Sequence, residues 1–183
     1  MNSPQEPLVR GQGAAELEPP KGVSSYLYDR NTEKFDSVVA RASQFDFEKF
    51  GAALCDGVSA YETAYAEQVE PGAYASREPE TESPEARKEQ AIALLASTIT
   101  SALVEVGDHP DFLDIVDDWM TSFSCTTIWT KYPGRFGGFM GTILEPIKKV
   151  RPAAFSKASP EIVRTLERAA INRRLSASVN LAE

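Results

Sequence analysis

An all-α fold is predicted for this chain: a compact bundle of five or six helices with a disordered N-terminal tail. Three observations predict it. Apolar side chains recur at spacings of three and four residues through several long segments, the repeat of a helix with one buried face. Ser-Pro-Glu occurs at Ser83–Glu85 and again at Ser159–Glu161, each time at the head of such a segment. No segment carries the sustained apolar–polar alternation of a half-buried strand. Thr121 to Ile128, rich in β-branched residues, is the one stretch that departs from the helical pattern.

Taken in chain order, residues 1–24 hold Pro4, Pro7, Pro19, Pro20, three glycines and few large apolar side chains. Such a segment buries too little surface to offset its ordering entropy, so it is expected to be a flexible tail ahead of a helical domain over 25–183. A first helix is predicted from Asn31 or Thr32 to Ala42, with Phe35, Val38 and Val39 inward. From Asp46 to Val69 the residues Phe47, Phe50, Leu54, Val58, Tyr61, Tyr65 and Val69 share one narrow face, the stripe of a helix packed on a core. The segment EPGAYASREPETES, residues 70–83, is expected to be a flexible internal loop.

Ser83 then caps, Pro84 suits the first helical position and Glu85 complements the dipole. This helix is predicted to run to Val106, with Gly107 as its stop. Asp108 and Asp111 resemble a capping box for the next helix, which places Phe112, Leu113, Ile115, Val116, Trp119, Met120 and Phe123 on one broad face and extends toward Trp129. The glycine-rich segment from Tyr132 to Gly141 breaks the pattern. A short helix or turn with Ile143, Leu144 and Ile147 follows, interrupted by Pro146. Ser159 caps a last helix through Ile162, Val163, Leu166, Ala169 and Ala170, fading after Asn172.

A chain of 183 residues can bury a real core as one domain. It has no apolar run near the roughly 18 residues of a membrane span; Lys131, Arg135 and Glu145 interrupt the longest weakly charged stretch, Thr121 to Ile147. The N-terminus lacks the basic-then-apolar order of a secretory signal. Cys55 and Cys125 alone make neither a disulfide framework nor a zinc knuckle, and no Asn-x-Ser/Thr acceptor occurs. A cytoplasmic location, or delivery to another reducing intracellular compartment, is the simplest expectation. Charge is unevenly placed. Residues 1–131 hold 10 basic against 23 acidic side chains, a balance of −13, while residues 132–183 hold 9 against 4, a balance of +5. The basic end either meets an acidic partner or folds back onto the acidic helices.

Groups that exchange protons, attack or hold metals are few. His109 is the single histidine, and Cys55 and Cys125 sit in patterns that suit small core residues. Asp111, Asp114, Asp117 and Asp118 lie opposite the apolar face of their helix and are expected to form a solvated acidic surface rather than a metal site. No cofactor and no metal are therefore expected.

The segment YPGRFGGFMG interleaves glycines with Tyr132, Arg135, Phe136 and Phe139. It is either a tight interhelical connection with its aromatics in the core, or a loop that presents them to a partner. Its Gly-x-x-Gly lacks the βα context of a KH module, and no Gly-Lys-Ser/Thr follows to make a P-loop. Downstream, Lys148, Lys149, Arg151, Lys157, Arg164, Arg168, Arg173 and Arg174 supply a basic surface. The candidate partner-binding residues are thus Tyr132, Arg135, Phe136, Phe139, Lys148, Lys149, Arg151, Arg164, Arg168, Arg173 and Arg174. The function expected is that of a non-enzymatic interaction or structural-assembly protein, such as a virion component, adaptor or delivered effector, bound to another protein or to itself. The first alternative is a helical protein that binds nucleic acid with its basic C-terminal region; the least favoured is a cysteine-dependent enzyme.

Overall fold

The apolar stripe that begins at Phe47 forms the spine of the molecule. In the computed structural model, which describes residues 18–74, 82–123 and 135–180, the stripe becomes a 23-residue helix, Phe47–Val69. Its start is set by Asp46, whose side chain accepts from the Lys49 backbone N–H at 2.9 Å. Seven helices occur among the described residues, and no strand: α1 (Ser25–Arg30), α2 (Thr32–Arg41), α3 (Phe47–Val69), α4 (Pro84–Glu105), α5 (Phe112–Phe123), α6 (Arg135–Val150) and α7 (Pro160–Asn180). Short 3₁₀ turns lie at Pro71–Tyr74 and Pro152–Phe155. The all-α expectation holds.

α3 and α4 make the most extensive pair and run antiparallel, since Glu67 near the end of α3 bonds Arg87 near the start of α4, and Gly57 lies against Leu95. α4 packs on α6 with its other flank, and α6 in turn pairs with α7. α5 crosses this layer and touches α1, α2, α3 and the start of α7. An aromatic cluster closes the crossing. Phe35, Phe45, Phe47, Phe50, Phe112 and Trp119 contact one another at centroid separations from 4.8 to 6.5 Å, within the range where edge and offset contacts are favourable. Leu54, Leu95, Ile99, Leu103, Met120, Met140 and Ile143 extend the same core with little or no exposure.

The helix ends follow the local chemistry closely. Ser83 accepts from the Ala86 backbone N–H at 3.2 Å, and Pro84 takes the first helical position. α4 stops where Gly107 adopts φ +63°; the Gly107 N–H bonds the Val104 carbonyl and the Asp108 N–H bonds the Leu103 carbonyl, the paired closure that a left-handed residue permits.

Four expectations change. Asp108 does not open α5: it carries φ +52° as part of the α4 terminus, and Asp111 stands immediately before the first helical residue. The glycine-rich stretch does not break the chain along its whole length, because α6 begins at Arg135 and passes through Gly137, Gly138, Gly141 and Pro146. The physical reason lies in α7. A Cβ on Gly141 would stand 2.2 Å from the Ala169 Cβ, so the missing side chain is what lets the two helices approach. α7 continues to Asn180, past the point where its apolar pattern fades. Finally, Glu18 to Ser24 lie against the body: Val23 is buried and Lys21 pairs with Glu48 at 2.7 Å. The rest of the expected tail, residues 1–17, and half of the expected loop, residues 75–81, lie outside the described residues.

Candidate functional site

The acidic face of α5 is not a solvated surface. Asp114 is largely buried, pairs with Lys34 of α2 at 3.3 Å and accepts from the Ser159 hydroxyl at 2.5 Å. Asp118 accepts from the Asn31 amide at 2.7 Å. Asp117 is half-buried, and burial first, then the nearby charges of Asp118, Asp114 and Glu161, push its carboxyl up to about 6, against an opposing pull from Lys34. Opposite the core face of α5 there is thus more protein, because α2 and the head of α7 close over it. Ser159 also caps α7, accepting from the Ile162 N–H at 3.3 Å, so the carboxylate of Asp114 fixes where α7 starts.

His109 is buried in the corner between α4 and α5. Its Nδ1 accepts from the Asp111 backbone N–H at 3.2 Å, which leaves Nε2 as the protonated nitrogen facing the Ser37 hydroxyl at 3.1 Å. Burial lowers its pKa below the ordinary value, as does the charge of Arg41, while Asp111 acts the other way. Both ring nitrogens are therefore engaged in holding the corner. Cys55 is exposed on α3, contrary to the core role its context predicted, since it lies one residue round the helix from the buried Leu54. Cys125 is outside the described residues, and among those described no group of three or more His, Cys, Asp or Glu could hold a metal ion.

The predicted binding residues divide into several sets. Tyr132 lies outside the described residues, and Arg135 and Phe136 are placed only as backbone in the first turn of α6. Phe139 is buried with its ring 4.1 Å from that of Tyr61; it belongs to the core, as α6 turns this face toward α3 and α4. Arg151 is committed within the molecule. Its guanidinium grips the Asp108 carboxylate with two bonds, at 2.9 and 2.5 Å. Arg173 pairs with Glu145 across the α6–α7 seam, and Arg164 pairs with Glu161 at 2.8 Å. Lys148, Lys149, Arg168 and Arg174 are exposed.

What these residues surround is an open groove between α6 and α7, with a volume of about 570 Å³. Its apolar wall is built from Phe155, Ala158, Val163, Leu166 and Ala170. Lys148 and Lys149 form the α6 rim, Glu167 stands on the α7 side, and the Arg173–Glu145 pair lies at one end. The apolar half of this site was not legible as a site. Val163, Leu166 and Ala170 carry the signal of core residues, and only the angle at which α7 meets α6 leaves them lining an opening. No helix among the described residues is long and apolar enough to cross a membrane. The chain matches no family model, no curated protein and no solved structure.

Proposed function

We propose that this chain is a non-enzymatic interaction or assembly protein that binds another protein, or copies of itself, through the groove between α6 and α7. The observation that carries this reading is the composition of the groove: an open apolar wall beside a lysine rim. Apolar surface left uncovered at a concave site is what a partner side chain fills, and flanking charges orient it. Three of the arginines that would otherwise favour a phosphate backbone are paired to carboxylates, Arg151 to Asp108, Arg173 to Glu145 and Arg164 to Glu161. Phosphate neutralisation requires several unopposed cations on one side, and Glu145 and Glu167 line this one.

The alternative of nucleic-acid binding rests on the exposed Arg164 and Arg168, one turn apart on α7, with Arg174 beyond them. One experiment separates the two. The protein is purified from its native source with and without nuclease, beside an Ala170→Arg variant that obstructs the groove, and the co-purifying proteins are identified by mass spectrometry. Defined partners that resist nuclease and are lost with Ala170→Arg are the expected result. Partners that disappear on digestion and persist with Ala170→Arg would replace this reading with the nucleic-acid one.

A further inference from the structure

The first two turns of α7, residues 160–167, bury one side chain fully, Ile162. Beyond that side chain, their tie to α5 is polar. The Ser159 hydroxyl donates to Asp114 at 2.5 Å while accepting from the Ile162 N–H at 3.3 Å, so one carboxylate of α5 holds the cap of α7. A helix end anchored this lightly opens at a lower free energy than the core it rests on.

Four carboxylates stand around this tie. Asp114, Asp117 and Asp118 share one face of α5 at spacings of three and four residues, and Glu161 lies two residues beyond Ser159. Three of the four have a cation. Lys34 of α2 is 3.3 Å from Asp114, Arg30 of α1 is 4.0 Å from Asp118, and Arg164 of α7 is 2.8 Å from Glu161. Asp118 also accepts from the Asn31 amide. Asp117 is different. Its backbone carbonyl accepts from the Thr121 hydroxyl, but among the described residues no donor bonds its carboxyl. The cluster is balanced while Asp117 keeps its proton, and it gains one unmatched charge under partial cover when that proton leaves.

We propose that the junction between α5 and the head of α7 is a pH-operated latch, closed while Asp117 is protonated and released by its ionisation. Burial first, and then the charges of Asp118, Asp114 and Glu161, push the Asp117 carboxyl up to about 6, with Lys34 pulling the other way. The head of α7 is thus held tightly in mildly acidic solution and loosens as the pH rises through about 6. Val163 and Leu166 belong both to this head and to the wall of the α6–α7 groove, so releasing the head reshapes the groove. That regulatory consequence rests on the reading of the groove as a docking site; the latch itself does not.

Amide hydrogen exchange on the full chain, corrected for the intrinsic effect of pH and followed from about pH 5 to about pH 7.5, tests this. In wild type the head of α7 is expected to exchange through its own opening, with protection below that of α3, and this protection falls roughly fivefold across the range. Asp117→Asn keeps the shape and removes the titration, so its protection stays level. Glu161→Gln, at an exposed position, removes one repelling charge and moves the fall to lower pH; it serves as the second variant should Asp117→Asn fail to fold. His109 does not imitate this sign, because its pKa is lowered and its protonation weakens the fold as the pH drops. A head whose protection equals that of α3 opens only with the whole fold, and would overturn the proposal. So would a fall that persists unchanged in Asp117→Asn, or one unmoved in Glu161→Gln. Neither result bears on nuclease-resistant partners lost with Ala170→Arg, so the docking reading can stand while the latch falls.

Discussion

At the scale of single residues, two groups with shifted titration act on stability in opposite directions. His109 is held neutral by burial, with its pKa below the ordinary 6.5. The unfolded chain therefore takes up its proton more readily, and this contribution to stability is lost as the pH falls below about 6.5. Asp117 is the reverse. Its carboxyl is pushed up to about 6 from 3.8, so the folded state binds the proton more readily, and ionisation costs stability as the pH rises from about 4 through 6. Asp117→Asn is expected to raise the free energy of unfolding at pH 7 by about 1 kcal/mol, scaled down from the shift because the group is only half-buried. Urea titrations of both proteins at several pH values check this; the gain should shrink to nothing near pH 4. A gain that does not depend on pH would place the effect outside the titration. None of this was legible along the chain, where Asp117 is one carboxylate among five. The cover from other helices first, and then the charges of Asp118, Asp114 and Glu161, set its behaviour.

At the scale of elements, the signals that proved readable are those whose physics is local. Ser83 and Ser159 cap because their own side chains reach N–H groups three residues on, and Gly107 ends α4 because it tolerates a positive φ. The stripe of α3 was equally plain. α6 was not, because glycine and proline ordinarily disfavour a helix interior and the compensation comes from a neighbour. Gly141 brings α6 onto Ala169 and the Thr165 carbonyl. Gly141→Ala, which improves intrinsic helix propensity, is nevertheless expected to destabilise the protein by about 1–3 kcal/mol, because the helices must part to admit the methyl group. Thermal denaturation measures it, and a rise in Tm would mean that the seam yields at no cost.

At the scale of the whole molecule, the charge asymmetry resolves in part internally. The basic end does fold onto the acidic body where Arg151 closes on Asp108, joining the end of α6 to the corner between α4 and α5. The pair is two-pronged and mostly buried, so a double-mutant cycle with Asp108→Ala and Arg151→Ala is expected to give a coupling energy of about 1–2 kcal/mol. A coupling near zero would mean that the corner is held by packing alone. The remaining lysines on the α6 rim are what the proposed docking reading uses.

By itself the sequence determined the all-α class, the caps and ends of several helices, and most of the core-facing stripes, because helix periodicity and terminal hydrogen bonds are set within a few residues. Only the tertiary structure decided that the α5 carboxylates lie under cover, that Phe139 belongs to the core, that Cys55 is exposed, and that Val163, Leu166 and Ala170 border an open groove. Each of those outcomes depends on which distant helix comes to lie beside the residue. That is a property of packing angles between elements, which no short stretch of chain encodes.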